Sequence, residues 1–433
     1  MMQEFAKRRA QLMQLIGQDG IAIIPGAPTA PRNRDVYYPY RQDSDFYYLS
    51  GFAEPDAVIV LVPGREQSEY LLFCRERDRV KEQWEGRRAG QKGARQQYGA
   101  DDSFPIDDLD EILPGLLENK QRVFYTLGLN IEFDHRVIDC LNELRSKIRA
   151  GIHVPQELVS LEHRIHEMRL FKSEAEIAIM QQAADISAAA HRHLMQTCQP
   201  GMMEYQLEAE FQHQCALQGA RHQAYSPIVG GGRHACILHY TENSAPLRDG
   251  DLVLIDAGCE FQSYASDITR TFPVNGRFSE AQRAVYEVVL EAQLAAIDQV
   301  KPGNHWNDPH LAAVKVLTQG LVKLGILQGK VAKLIKDEAY RPFFMHRTGH
   351  WLGMDVHDVG EFKTAGEWRE LKPGMVLTVE PGLYIPRSRD VDKRWWHIGI
   401  RIEDDVLVTT DGHRILSAAA PKTVADIEAL MQP

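Results

Sequence analysis

Apolar positions recur at helical spacing along residues 5–16, and a short apolar run, GIAIIP, follows at 20–25. The first segment therefore reads as a helix and the second as a strand. Strand-like runs return at 57–62, 69–74 and 122–125, separated by helical patterns such as 131–147. This alternation predicts an α/β domain. The stretch 78–98 is rich in Arg, Lys, Glu and Gly and predicts an exposed helix and loop, in which Trp84 is out of place. Packing of that one aromatic against its own domain is the simpler expectation.

A boundary falls near residue 172. After Pro155 the pattern predicts a charged helix, ELVSLEHRIHEMRL, followed by Lys172 and then Ser173 with Glu176 in SxxE spacing. That spacing is a capping box, and Ile177, Met180, Ala184 and Ala188 continue behind it at helical intervals. The chain is accordingly divided into domains 1–171 and 172–433. Pro200 and Gly201 break the long helix, 204–218 forms a second, and strands lead to Asp256 and Asp267. Helices at 280–300 and 307–324, with Pro302 and Gly303 between them, precede His350 and the strands of Glu380 and Glu403. Helix, helix and strand pair, repeated, predicts a pseudo-symmetric antiparallel sheet backed by helices.

The charged positions inside the apolar runs change the picture from fold to chemistry. Asp256 stands behind Leu252, Val253, Leu254 and Ile255, and Glu380 stands behind Leu377 and Val379. Buried carboxylates are normally paired or bound to metal. An internal echo joins the two acids: residues 247–258 read LRDGDLVLIDAG and residues 371–382 read LKPGMVLTVEPG. Each copy is followed by a second acid at another apolar strand, Asp267 in SDITRTFPV and Glu403 in GIRIEDDVLVT. Chance strand composition can produce one such match, and the second acid in each half argues against it. The short segment between Asp256 and Asp267 suits a hairpin connection, which sets the two acids side by side. Alternate strand residues share a face, so Arg401 points with Glu403 and Thr378 with Glu380. Oxygen donors and one imidazole suit manganese, cobalt or zinc. Five protein ligands exceed the three of a single catalytic zinc and suit two metal ions roughly 3.5–4 Å apart.

Composition adds exclusions. At 433 residues the chain has room for two or three domains, and 44% hydrophobic with 25% charged residues is ordinary globular usage. The formal net charge of −11 argues against a nucleic-acid surface. Cysteines 74, 140, 198, 215, 236 and 259 show no CxxC spacing, which fits reduced thiols in a cytoplasmic protein. Cys259 lies three residues from Asp256, within reach of a ligand role, but the oxygen-rich set favours a buried structural thiol. The N-terminus lacks the apolar core of a signal peptide and no run of about 18 apolar residues occurs, so no membrane association is expected.

The order Asp, Asp, His, Glu, Glu, with HRTGHWLGMDVHD around His350, VEPGLY after Val379 and GIRIEDDVLVT, closely resembles the metallopeptidases of the pita-bread fold. Within them it is similar to the bacterial type of Xaa-Pro aminopeptidase, or aminopeptidase P. The segment NRDVYYPYRQDSDFYYLSGFAEPDAVIVLVPG resembles the start of that family's N-terminal domain, so the likeness covers nearly the whole chain. The resemblance implies hydrolysis of the bond before proline in peptides with proline second, by a hydroxide bridging two divalent ions, with manganese the first expectation. It implies that Asp256 holds one ion, His350 and Glu380 the other, and that Asp267 and Glu403 bridge. It gives Glu380 the proton transfers, His239 stabilisation of the tetrahedral intermediate, and His357 contact with the substrate near the scissile bond. Arg401 and Tyr384 resemble residues that orient the ligands. Family members are oligomeric and bring an N-terminal-domain residue near a neighbour's site, which makes Trp84 a candidate and a homo-oligomer, dimer or tetramer, the expectation.

Other features carry less. His191 and His193, although spaced HxH, lie on the long helix pointing different ways and are read as non-ligands; His234, His346, His397 and His413 are left open, with a surface or core role ahead. Gly230, Gly231 and Gly232 lack the GK[ST] ending of a phosphate loop and read as a flexible rim near His239. No nucleophile elbow supports a serine hydrolase. Two other readings share the motifs: a prolidase restricted to Xaa-Pro dipeptides, and a non-enzymatic pita-bread module that binds proteins or peptides.

Overall fold

Residues 1–432 are described by a computed structural model, in which the chain forms two compact units, Met1–Arg169 and a second that begins at Leu170. The first unit is built on a six-stranded mixed sheet. Its strands lie in the spatial order Asp102–Pro105, Tyr70–Cys74, Val58–Leu61, Gly20–Pro25, Arg122–Phe124 and Glu157–Val159. Alternation decides which side chains face the core: Ile21 and Ile23, Val58 and Val60, and Leu71 and Phe73 pack together against the helices Leu109–Leu117 and Ile131–Ser146. The α/β expectation for this unit holds.

Two expectations in this unit change. The predicted charged helix after Pro155 divides into the strand Glu157–Val159 and the helix Glu162–Leu170. The strand pairs in parallel with Arg122–Phe124, so backbone pairing at a sheet edge outweighs the helical tendency of its charged residues. Trp84, on the helix Arg79–Glu85, is 85% exposed and does not pack against its own domain.

In the second unit the capping box is formed as read: Ser173 accepts from the Glu176 N–H, Glu176 reaches back to the Ser173 N–H, and the helix Glu174–Thr197 follows. Helices Glu204–Leu217, Glu280–Ile297 and Asp308–Lys323 complete the helical layer, and their apolar faces share one core with the strands. The internal echo is an architectural repeat. Leu252–Asp256 pairs antiparallel with Thr269–Pro273, and Val376–Val379 pairs antiparallel with Asp404–Val408. Each ladder is then interrupted and resumes: Glu260 faces Ala265 in the first half, and Gly382 faces Arg401 in the second. The acids sit at these interruptions. The glycines that follow them, Gly258 and Gly382, allow the strands to close up, because a Cβ there would lie 1.7 Å from the Ser266 carbonyl and 2.7 Å from that of Ile400. The halves meet where the Glu403 N–H donates to the Thr269 carbonyl at 3.1 Å.

Candidate metal centre

Four strand ends and one loop converge. Asp256 closes its strand opposite Thr269, and the Tyr225 hydroxyl spans the two acids of the first half, 2.6 Å from Asp256 Oδ1 and 2.5 Å from Asp267 Oδ1. The expected side-by-side placement is present. His350 arrives on a segment laid along the strand Val376–Val379: its N–H donates to Thr378 Oγ1 at 3.1 Å, and the Thr378 N–H donates to its carbonyl at 2.9 Å. Gly349 makes that approach possible, since a Cβ there would lie 2.0 Å from the Thr378 carbonyl. The imidazole Nε2 comes within 3.3 Å of Asp267 Oδ2 and 3.8 Å of Glu380 Oε1. Its Nδ1 lies 2.9 Å from the Trp351 carbonyl, which can only accept, so Nδ1 carries a proton whatever the charge of the ring and Nε2 is the nitrogen turned to the acids. Asp267, His350 and Glu403 each offer a ligand atom, all within 4.8 Å of one another.

The electrostatics say what this cluster lacks when only protein surrounds it. Burial, with Asp267 and Glu380 beside it, drives Glu403 well above the carboxylate range. Burial also lifts Asp267, reinforced by Asp256, and raises Glu380 to about 7. Burial would push Asp256 the same way, but Arg401 and the Tyr225 hydroxyl outweigh it and hold this acid below its usual value. His350 is buried too, yet Asp267 and Glu380 raise it to about 9. Carboxylates crowded in this way are held apart from full ionisation by one another, and a divalent cation removes that conflict. The donor set of four carboxylates and one imidazole fits a hard or borderline divalent ion. Cys259 does not join it, because its thiol is fully buried and donates to the Ala183 carbonyl at 3.5 Å.

A buried polar frame holds these candidate ligands. Arg401 donates through Nη2 to Asp256 Oδ2 at 2.5 Å, through Nε to Thr269 Oγ1 at 3.1 Å, and through Nη1 to the Tyr384 hydroxyl at 3.0 Å. Thr269 in turn donates to Glu403 Oε2 at 2.6 Å, so one guanidinium is linked to acids from both halves. Behind Glu403, Arg270 donates to the Glu403 carbonyl and pairs with fully buried Asp404 at 2.7 Å.

Sequence reasoning missed three members of this frame. Tyr225 and Thr269 carry no motif of their own; only the strand register brings them to the acids. His346, left open with a bland role ahead, belongs to the site: Nδ1 donates to the Arg347 carbonyl at 2.7 Å, leaving Nε2 to accept from the Tyr384 hydroxyl at 2.8 Å. Burial, with Arg401 nearby, lowers its pKa to about 3, so the ring is neutral. Its place in the HRTGH motif was the available signal. His239 and His357 are exposed at the rim; His357 meets the His350 ring edge-on at 4.4 Å. His191 is fully buried with Nε2 at 2.9 Å from the Ala257 carbonyl and takes no place among the ligand atoms. Gly230 and Gly231 belong to the strand Ile228–Gly231, paired with Leu252–Asp256, instead of forming a loose rim.

The chain is similar to known proteins over its whole length. The sequence profile of metallopeptidase family M24 matches residues 178–410, and that of the aminopeptidase P N-terminal domain matches residues 5–125. The Xaa-Pro aminopeptidase of Escherichia coli K12 is 46% identical over 430 residues, covering 99% of this chain and 97% of the relative. That of Haemophilus influenzae is 44% identical over 429 residues, covering 99% and 97%. The solved structure of the Pseudomonas aeruginosa aminopeptidase PepP superposes with a TM-score of 0.99 at 58% identity, covering 100% of this chain and 98% of that one. Zinc-substituted aminopeptidase P from Escherichia coli in complex with product gives a TM-score of 0.97 at 46% identity, covering 100% and 98%. The two-unit architecture is thus that of aminopeptidase P, with a pita-bread second unit, and the chain belongs to metallopeptidase family M24.

Proposed function

We propose that this chain is a metal-dependent aminopeptidase that releases the N-terminal residue from peptides with proline in the second position. The observation that carries the reading is the convergence of Asp267, His350 and Glu403, with Asp256 and Glu380 beside them, in a chain so similar to Xaa-Pro aminopeptidases. We assign the metallopeptidase chemistry to residues 172–433 and the N-terminal role to residues 1–171. Asp256, Asp267, His350, Glu380 and Glu403 would hold two divalent ions, manganese first, with cobalt and zinc as alternatives. Such ions, when bound, acidify water and polarise the scissile carbonyl.

The chain's own residues supply the rest. Glu380, whose Oε1 lies 3.8 Å from His350 Nε2, is assigned the proton transfers, taking a proton from the attacking water and returning it to the leaving nitrogen. Arg401 and Tyr384 keep Asp256 oriented, and Thr269 transmits the same restraint to Glu403. His239 and His357, exposed at the rim, are assigned to the peptide: His239 to the developing oxyanion and His357 to contact near the scissile bond.

A homo-oligomer, dimer or tetramer, is part of this reading, supported by the exposure of Trp84. A cytoplasmic location is supported by six free cysteines and by the absence, among the described residues, of any helix long and apolar enough to cross a membrane. The test is a series of Xaa-Pro-Yaa tripeptides and Xaa-Pro dipeptides assayed with manganese, cobalt or zinc restored to chelated protein, alongside metal content and mass in solution. Metal-dependent cleavage of the tripeptides is the expected result. Cleavage of dipeptides alone would make the protein a prolidase, and two-site metal binding without cleavage would make it a binding module.

A further inference from the structure

The loop that carries His239 is tied down by a carboxylate that belongs to none of the metal ligands. Glu204, the first residue of the helix Glu204–Leu217, is fully buried. Its Oε1 accepts from the Gly231 N–H at 2.8 Å and lies 3.1 Å from His234 Nδ1. Its Oε2 accepts from the Tyr240 hydroxyl at 2.9 Å and from the Ala245 N–H at 2.8 Å. These four partners come from both ends and the middle of residues 231–245, so one side chain gathers the whole excursion. A carboxylate has about four acceptor positions, and here all are used.

The rest of the loop is shaped to that centre. The His234 ring stacks on Tyr240 at 4.5 Å, immediately beside His239 in the chain. Asn243, in the left-handed region at φ 46°, closes the return: its Oδ1 accepts from the Val229 N–H, and its amide donates to the Pro227 carbonyl and to Glu208. On the other side the turn at Ala235 lies against the strand of Arg401, where a Cβ on Gly399 would sit 2.2 Å from the Ala235 carbonyl. His239 itself remains exposed at the tip of this braced loop.

From this geometry we infer that Glu204 is a positioning residue for the reaction: it fixes the segment 231–245 so that His239 meets the peptide at one place. The inference rests on the assignment of His239 to the substrate. Glu204→Gln keeps size and one oxygen, but turns an N–H pair toward groups that are themselves donors. Displacement of a catalytic group by about 1 Å costs up to roughly 100-fold. Glu204→Gln is therefore expected to lower kcat by roughly 10- to 100-fold while metal content stays at the wild-type level. Tyr240→Phe, which removes one donor and no volume of consequence, is expected to lower kcat more modestly and keeps the inference open to test should Glu204→Gln fold poorly.

The decisive measurement is a double-mutant cycle with His239→Ala on a Xaa-Pro-Yaa substrate, with metal content and thermal midpoint followed in parallel. Acting through His239, Glu204→Gln should add little to the loss already caused by His239→Ala. Independent losses that multiply in the double variant, or wild-type kcat in both Glu204→Gln and Tyr240→Phe, would overturn the inference. Wild-type kcat in His239→Ala would instead overturn the assignment of His239 beneath it.

Discussion

Glu380 and Tyr225 show how much of the site resides in single functional groups. Glu380 is the carboxyl to which the proton transfers are assigned, and without metal its burial raises it to about 7. Glu380→Ala is expected to lower kcat by roughly 10²- to 10⁴-fold while peptide still binds; retention of near wild-type kcat would contradict the role. Tyr225 has one proton and two acids within 2.6 Å, and its job is to hold Asp256 and Asp267 at a common spacing. Tyr225→Phe should weaken divalent-ion binding roughly 10- to 100-fold, read by titrating metal into chelated protein. Activity at saturating metal should recover toward wild type.

The element that matters is the interrupted hairpin, used twice. The register fixes which acids meet: Asp256 faces Thr269, which shares a strand face with Asp267, and Val379 faces Asp404, which brings Glu380 beside Glu403. The break after Asp256 and the break at Glu380 let the backbone turn the acids inward, and the glycine that follows each break lets the partner strand close behind it. Gly258→Ala puts a methyl group into the Ser266 carbonyl, a backbone clash that no rotamer relieves. The expected cost is about 1–3 kcal/mol or more, together with reduced metal content, measured by denaturant unfolding and by metal analysis of the folded fraction. Unchanged stability and metal content would show that the strands do not need this approach.

For the whole molecule, the crowded acids couple metal occupancy to stability and pH. Glu380 at about 7 and His350 at about 9 both hold protons that the unfolded chain would release, and Glu403 lies well above its usual value in the same sense. Groups whose folded pKa is raised stabilise the fold below their unfolded pKa, and that stability is lost as pH rises through the folded value. Burial lowers His191 and His310 to about 4 and His346 to about 3, which acts in the opposite direction but is complete by about pH 6.5. Metal-free protein is therefore expected to lose thermal stability between about pH 6.5 and pH 9. Divalent metal should flatten that decline, because the cation takes over the balance of charge. Calorimetry of chelated and metal-loaded protein across this range is the check, and a chelated protein that gains stability toward pH 9 would contradict it.

By itself the sequence determined the repeat, the two fold classes, the five candidate ligands and the capping box at Ser173. Each of these rests on spacing along the chain, where an apolar run flanking an acid records burial and a recurring motif records its register. Local pattern erred where pairing or exposure decided the outcome, as for the strand Glu157–Val159 and for Trp84. Only the tertiary structure brought in Tyr225, Thr269 and His346, because a hydroxyl or a neutral imidazole gains its role from what stands opposite it. Those partners lie far away in sequence: Thr269 and Glu403 are separated by 134 positions and meet at 2.6 Å. Hydrogen bonding acts over a few ångströms of space and is blind to distance along the chain, and for that reason the converging acids and histidine, with Arg401 and Tyr384, were legible in advance while the rest of the frame was not.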